Sequence, residues 1–113
     1  EMAKDYVQGA ILPEGFFAHS RSKNVSDFVR SFEAVYGQSP EFIEAVAYDT
    51  AQILFDIAGR PDVRFRQSFR DEILALSDFP GVTGPSTCDP TGDIQKQLYL
   101  LRIKGKRFVE VAR

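Results

Sequence analysis

The sequence predicts an α/β fold in which a short strand precedes three helices, a loop and a C-terminal β-hairpin. Between residues 25 and 76 apolar side chains recur at helical 3/4 spacing, whereas near the C-terminus they alternate as in strands. Proline and glycine cluster between these two regions, where no regular helix would form. With 113 residues, the chain is long enough for one small domain with one core.

The first element is a short apolar run over residues 7–12. Gly9 interrupts the run, and residues 13–15 (PEG) close it with a turn signal. This pattern predicts a strand that runs into a turn or a hinge-like crossing.

The first helix is predicted from residue 25 to residue 36. Asn24 is its expected N-cap, and Gly37 is expected to end it. Its apolar stripe consists of Val25, Phe28, Val29, Phe32, Val35 and Tyr36.

The second helix is predicted from Pro40 to about Gly59, with Ser39 as its N-cap. Its broad apolar face predicts the main core element, with Tyr48 and Leu54 pointing inward. A third helix is expected from residue 63 or 64 to about residue 76, with Asp62 as its cap.

After Ser77 the sequence predicts a loop that contains a short strand. Residues 89–92 (DPTG) have the proline and glycine positions of a tight turn and too few spaced oxygen ligands for an EF-hand calcium loop. Alternation over residues 97–103 and 108–111 then predicts a hairpin, whose tip carries Lys104, Lys106 and Arg107. Such charges commonly keep a sheet edge soluble.

The composition of the chain argues against several kinds of binding site. The net charge of −2 argues against nucleic-acid binding, which needs clustered cations. Cys88 is the single cysteine, so neither an internal disulfide nor a cysteine-based zinc site can form, and we expect a small buried side chain there. We expect no metal and no cofactor.

Residues 1–6 resemble the end of a surface helix, which indicates a cropped chain.

His19 is the single histidine, and it lies beside Ser20 and Ser22 in a polar segment. A nucleophile and base can be imagined there, but no acidic partner is positioned in the sequence. We therefore expect a surface histidine and no catalytic residue, and we do not expect an enzyme.

Two ordered motifs carry a family resemblance. Residues 40–51 (PEFIEAVAYDTA), preceded by Phe28-Val29 and Tyr36-Gly37, resemble the type I periplasmic binding proteins, especially receptors for branched-chain amino acids. Residues 81–93 (GVTGPSTCDPTGD) are similar to a second segment of that family. The resemblance covers nearly the whole chain and implies the C-terminal part of a two-lobed fold.

The resemblance also implies a division of the chain and a site. Residues 1–22 would form a crossing strand and hinge loop, residues 23–80 the helical part of the N-terminal lobe, and residues 81–113 the return crossing and the hairpin. The implied ligand-binding residues are Ile43, Phe42 and Phe16. Ile43 stands where the family has an aromatic contact, and plain helix core is the alternative interpretation of Ile43 and Phe42.

The function implied is the ligand-binding component of an ABC-type importer for branched-chain amino acids or a related small solute. Its partners would be membrane transporter subunits, and its place the periplasm or the cell exterior, soluble or lipid-anchored. The alternative is a lipoprotein or sensor of the same fold that acts through protein contacts, such as an activator of cell-wall synthesis. Because most of both lobes would be missing, we expect the chain alone to self-associate and to bind solute weakly.

Overall fold

The computed structural model describes residues 6–111, and it confirms the α/β class. Two three-stranded antiparallel sheets, with strand orders β1-β5-β6 and β2-β3-β4, accompany three helices. The segment expected at residues 1–6 lies outside the described residues, apart from Tyr6. In chain order the elements are β1 (Ile11–Glu14), α1 (Lys23–Tyr36), α2 (Phe42–Ala58), α3 (Arg66–Leu74), β2 (Phe79–Gly81), β3 (Gly84–Cys88), β4 (Ile94–Lys96), β5 (Tyr99–Lys104) and β6 (Arg107–Glu110).

Helix α1 begins two residues earlier than predicted. Ser22 keeps an extended backbone and is the N-cap, so the predicted cap position was wrong, although the predicted residue does satisfy a free N–H: Asn24 Oδ1 accepts from Val25 N at 2.9 Å. Asn24 lies within the first turn, and its Nδ2 donates to the carbonyl of Gly81, 3.2 Å away. The predicted end is confirmed, because Gly37 adopts the left-handed conformation (φ 71°) and its N–H donates to the carbonyl of Glu33 at 2.8 Å.

Helix α2 begins at Phe42, so the predicted start at Pro40 with Ser39 as cap was wrong. Glu41 is the extended N-cap, and its N–H donates to the carboxylate of Glu44 at 3.0 Å. In a capping box, the side chain three residues after the N-cap accepts from the N–H of the cap residue. Glu44 has this position relative to Glu41 but not relative to Ser39. The predicted end is confirmed, since α2 stops at Ala58 and Gly59 follows.

The buried face of α2 also differs from the prediction. It consists of Ala45, Asp49 and Ile57, whereas Tyr48 and Leu54 are each 39% exposed. The expectation that Tyr48 and Leu54 point inward was therefore wrong for the described residues. The helix turns its Asp49 side toward the β2–β3 turn, and this orientation leaves Tyr48 and Leu54 half covered.

Helix α3 is shorter than predicted and has no buried residue. Its cap is Phe65, whose N–H donates to Ser68 Oγ at 3.1 Å, so the prediction of Asp62 was wrong. Arg60, just after α2, pairs with Glu72 of α3 and with Asp56 of α2. These ion pairs hold the short helix against α2.

The segment after Ser77 contains a sheet where the sequence predicted a loop with one short strand. Phe79 pairs with Ser86 across β2–β3, and Ser86 pairs with Lys96 across β3–β4. Two of these strands have only three residues and β2 is Phe-Pro-Gly, which explains why propensity missed them. The C-terminal hairpin is confirmed, and the first strand lies at Ile11–Glu14 rather than over residues 7–12.

Two apolar clusters lie on either side of consecutive phenylalanines. Phe16 joins a cluster with α1, α2 and the β2–β3 turn, made of Val25, Phe28, Ala45 and Val82. Phe17 packs with Tyr99 and Leu101 of β5. The segment after β1 therefore connects the helices to the sheet β1-β5-β6.

Candidate functional site

The predicted ligand residues lie in two places, the segment after β1 and the first turn of α2. Phe42 and Ile43 are the first residues of α2 and are 51% and 77% exposed. Phe16 lies one residue after Gly15 and is buried in the helical cluster. Phe42 and Ile43 therefore both present apolar surface on the outside of the described residues.

A close contact holds Phe42 against the segment after β1. A Cβ placed on Gly15 would come within 2.3 Å of Cε2 of Phe42, which shows that the ring lies directly on the Gly15 backbone. Any larger residue at position 15 would displace this ring. The glycine therefore lets the segment after β1 contact the start of α2, where Ile43 follows Phe42 in the sequence.

A buried polar junction fixes the other face of α2. Asp49 is 2% exposed, and its carboxylate accepts from the N–H of Val82 (2.8 Å), the N–H of Thr83 (2.9 Å) and Thr83 Oγ1 (2.5 Å). Lys96 Nζ lies 3.7 Å from this carboxylate and donates to Thr83 Oγ1 and to Ser86 Oγ. We call this set the Asp49 junction. It satisfies a carboxylate that would otherwise be costly to bury.

Glycines allow the β2–β3 turn to approach the Asp49 junction. A Cβ on Gly81 would lie 2.5 Å from Oδ2 of Asp49, and one on Gly84 would lie 2.8 Å from the carbonyl oxygen of Gln97. Tyr99 OH also donates to the carbonyl of Val82 at 3.1 Å. The turn thus contacts α2 on one side and the start of β5 on the other.

The sequence did not predict the Asp49 junction, although both of its parts belong to the motifs quoted above. The available signal was an aspartate on an otherwise apolar helix face. A buried carboxylate requires donors, and a glycine-rich turn with free backbone N–H groups supplies them.

The predicted turn at residues 89–92 is confirmed, and protein donors already surround its carboxylate. Asp89 Oδ1 accepts from Thr91 N (2.9 Å), Thr91 Oγ1 (2.6 Å) and Asp93 N (3.0 Å), while Gln95 Nε2 donates to Oδ2 at 3.0 Å. The Thr91 hydroxyl, followed by the Asp93 N–H and the Gln95 amide, lowers the pKa of Asp89 to about 2. Within residues 6–111 there is no group of three or more His, Cys, Asp or Glu side chains placed to hold a metal.

The remaining predicted residues lie outside these contacts. His19 is exposed, and its ring meets the edge of Phe17 with 5.8 Å between centroids. Cys88 is buried and free, as predicted. No helix in the described part of the chain is long and apolar enough to cross a bilayer.

The chain is similar in fold to parts of several solved structures. A candidate branched-chain amino acid ABC transporter protein from Rhodospirillum rubrum is 30% identical over 93% of this chain and 31% of its own, with a TM-score of 0.86. A branched-chain amino acid transporter substrate-binding protein from Streptococcus pneumoniae, in complex with isoleucine, is 23% identical over 89% and 30%, with a TM-score of 0.72. A solute-binding protein of an ABC transporter from R. palustris, in complex with benzoate, is 24% identical over 97% and 31%, with a TM-score of 0.70. The last two likenesses show the fold alone.

The chain spans about a third of the length of these solved relatives. No curated protein matches it at a significant level. A family model described as periplasmic binding protein matches residues 1–107. Because that match covers nearly all of the sequence, the chain belongs to the periplasmic binding protein family.

Proposed function

We propose that the chain is part of the solute-binding component of an ABC-type importer for a branched-chain amino acid or a related small carboxylate. The R. rubrum relative is described as a branched-chain amino acid ABC transporter protein. Isoleucine and benzoate, held by two structures of the same fold, are both small molecules with an apolar part and one carboxylate. The observation that carries the proposal is the exposed apolar pair Phe42 and Ile43 at the start of α2, where the Phe42 ring lies on Gly15.

The proposed division of the chain follows from the family. Residues 1–22 are assigned to a crossing strand and hinge loop, residues 23–80 to the helical part of the N-terminal lobe, and residues 81–113 to the return crossing and the hairpin. The phenylalanine pair after Gly15 supports a crossing there, because Phe16 packs on the helices and Phe17 on the sheet β1-β5-β6.

Three residues are assigned to the solute site. Ile43 and Phe42 supply apolar surface for the hydrocarbon part of the solute, and their exposure supports this role. Phe16 lies in the interior next to Gly15, in the cluster that also contains Ala45 of α2. We propose that Phe16 contributes to the solute site by packing in the interior against the first turns of α2.

Membrane transporter subunits are the proposed partners and the periplasm the proposed location. Both assignments rest on the family and on the transporter relatives. No feature of the described residues favours the alternative of a lipoprotein activator or sensor.

We also propose that the chain alone self-associates through copies of itself. Its accessible surface is 8401 Å². A compact monomer of 12.7 kDa exposes about 6,200 Å². The excess of roughly 2,200 Å² is on the scale of a permanent interface. Exposed apolar side chains on the helices, such as Val35 and Phe55, supply the surface.

The function can be tested in a two-lobed chimera. Residues 6–111 would replace the matching third of the R. rubrum relative, and calorimetry would measure binding of leucine, isoleucine, valine and benzoate. We expect at least one solute to bind, and we expect Ile43→Ala to weaken that binding about tenfold, because it removes methyl and methylene groups that the bound solute would cover.

The matched control is Phe55→Ala, which truncates another exposed apolar side chain of α2, three turns from Ile43. It should leave affinity unchanged. The isolated chain should bind the same solute very weakly, because a closing cleft needs both lobes. A folded chimera that binds none of the four solutes, or equal losses from Ile43→Ala and Phe55→Ala, would contradict the proposal.

A further inference from the structure

Strand β6 forms an edge of the sheet β1-β5-β6, and of the described residues only β5 pairs with it. The Val111 N–H donates to the carbonyl of Leu100 at 2.7 Å. By the alternation of an antiparallel ladder, the backbone groups of Val109 then face β5. Those of Phe108 and Glu110 point outward, away from the sheet, and are available to another strand.

A groove runs along this edge. Its volume is about 750 Å³, with strand residues 107–111 on one wall and Phe17 and the loop residues 19–22 on the other. The aromatic rings of Phe17 and Phe108 line it together with the hydroxyl residues Ser20 and Ser22. The groove therefore has room for an extended segment beside the outward backbone groups.

The groove is cationic although the chain has a net charge of −2. Arg21 and Arg107 line it, and Lys104 and Lys106 line its continuation toward the hairpin tip, against the single carboxylate of Glu110. Within residues 6–111, none of these four cations forms an ion pair with a carboxylate. Such charges repel a second copy of the same edge, and they would attract a strand that carries acidic side chains.

We propose that the β6 edge takes up an extended acidic peptide segment as an added strand. The outward N–H and carbonyl groups of Phe108 and Glu110 supply the main-chain hydrogen bonds. Acidic side chains of the segment meet Arg21, Arg107 and the two lysines, and its alternate apolar side chains pack on Phe108. The four cations therefore oppose pairing with strands that lack acidic side chains and favour pairing with an acidic strand.

The test measures fluorescence anisotropy of a labelled hexapeptide in which glutamate alternates with valine. There are two control peptides. In the first, lysine replaces every glutamate; the second keeps the acidic sequence and carries a methyl group on every backbone nitrogen. We expect both controls to bind at least about tenfold more weakly than the acidic peptide. We also expect added salt to weaken the acidic complex.

Two protein variants complete the test. Arg107→Glu should weaken binding at least about tenfold, whereas Arg70→Glu, the same charge change on exposed α3, should weaken it much less. Phe108→Pro removes an outward N–H without removing a β5–β6 hydrogen bond, so it should also weaken binding. Circular dichroism checks that each variant is folded, and the N-methylated peptide tests the same hydrogen bonds without changing the protein.

Equal binding of the acidic and lysine peptides would overturn the charge argument. Equal binding of the N-methylated peptide would overturn strand addition. A dimer that Phe108→Pro dissociates in sedimentation experiments would identify a second copy as the occupant of the edge and would also overturn the proposal.

Discussion

Removing the carboxylate of Asp49 should destabilise the chain more than removing any exposed carboxylate. Asp49→Ala leaves three donors of the β2–β3 turn without an acceptor: the N–H of Val82, the N–H of Thr83 and the hydroxyl of Thr83. Each buried donor left unsatisfied costs about 1–3 kcal/mol. Lys96 also loses the carboxylate that lies 3.7 Å from its Nζ.

The full sum of these costs is an upper bound, because water can enter the space that the carboxylate leaves and accept from these donors. We expect Asp49→Ala to lower the free energy of unfolding by about 3–5 kcal/mol. Asp49→Asn keeps one carbonyl oxygen but turns an NH₂ group toward a donor, so we expect a loss of about 1–3 kcal/mol.

Urea unfolding followed by circular dichroism measures both variants. The control is Asp56→Ala on the same helix, whose carboxylate is 53% exposed and pairs with Arg60. It should change stability by about 1 kcal/mol or less. A loss for Asp49→Ala no larger than that for Asp56→Ala would refute the reasoning, because the junction would then contribute nothing beyond a surface ion pair.

Three further outcomes can be measured on the same chain. Ile57→Ala should lower the free energy of unfolding by about 2–5 kcal/mol in urea titrations, because Ile57 is fully buried; Leu54→Ala, at a half-covered position, should cost clearly less, and equal losses would contradict the exposure of that face. Gly81→Ala should destabilise by pushing on Asp49, and its effect should add incompletely to that of Asp49→Asn in a double-mutant cycle. The pKa of Asp89 lies below its usual value of 3.8, at about 2, so the turn should be intact above about pH 4 and should lose its hydrogen bonds as the pH falls toward 2; an NMR titration of the carboxyl with a midpoint near 4 would contradict this.

The periodicity of the sequence correctly predicted the elements that depend mainly on neighbouring residues in the chain. The stripe of α1 and the glycine at its end are both local features, and so is the Lys-Gly-Lys tip of the hairpin. The N-cap positions of all three helices were misplaced. At α2 and α3 the N–H of the cap residue donates to a side chain three residues later, Glu44 or Ser68, and the apolar periodicity does not distinguish that position from its neighbours. Asn24 of α1, by contrast, also donates to the carbonyl of Gly81, 57 positions later in the chain.

Features that depend on distant partners could not be predicted in the same way. Strand β2 is Phe-Pro-Gly and acquires its strand conformation only through pairing with β3. The inward side of α2 depends on Asp49, whose donors lie more than thirty positions later in the chain. The resemblance supplied the family and the fold, and the assignment of Ile43, Phe42 and Phe16 to the solute site stays a prediction.

The register of the sheet β1-β5-β6 determines the order in which its strands can assemble. Strands β5 and β6 are joined by a two-residue turn, whereas the pairing of Ile11 with Arg102 joins residues about 90 positions apart. Closing a loop of that length opposes pairing by about 4 kcal/mol of chain entropy. We therefore expect the hairpin to form early in folding, and β1 to dock late and to detach first. Amide hydrogen exchange should accordingly be faster at Ile103, which donates to Ala10, than at Val109, which faces β5.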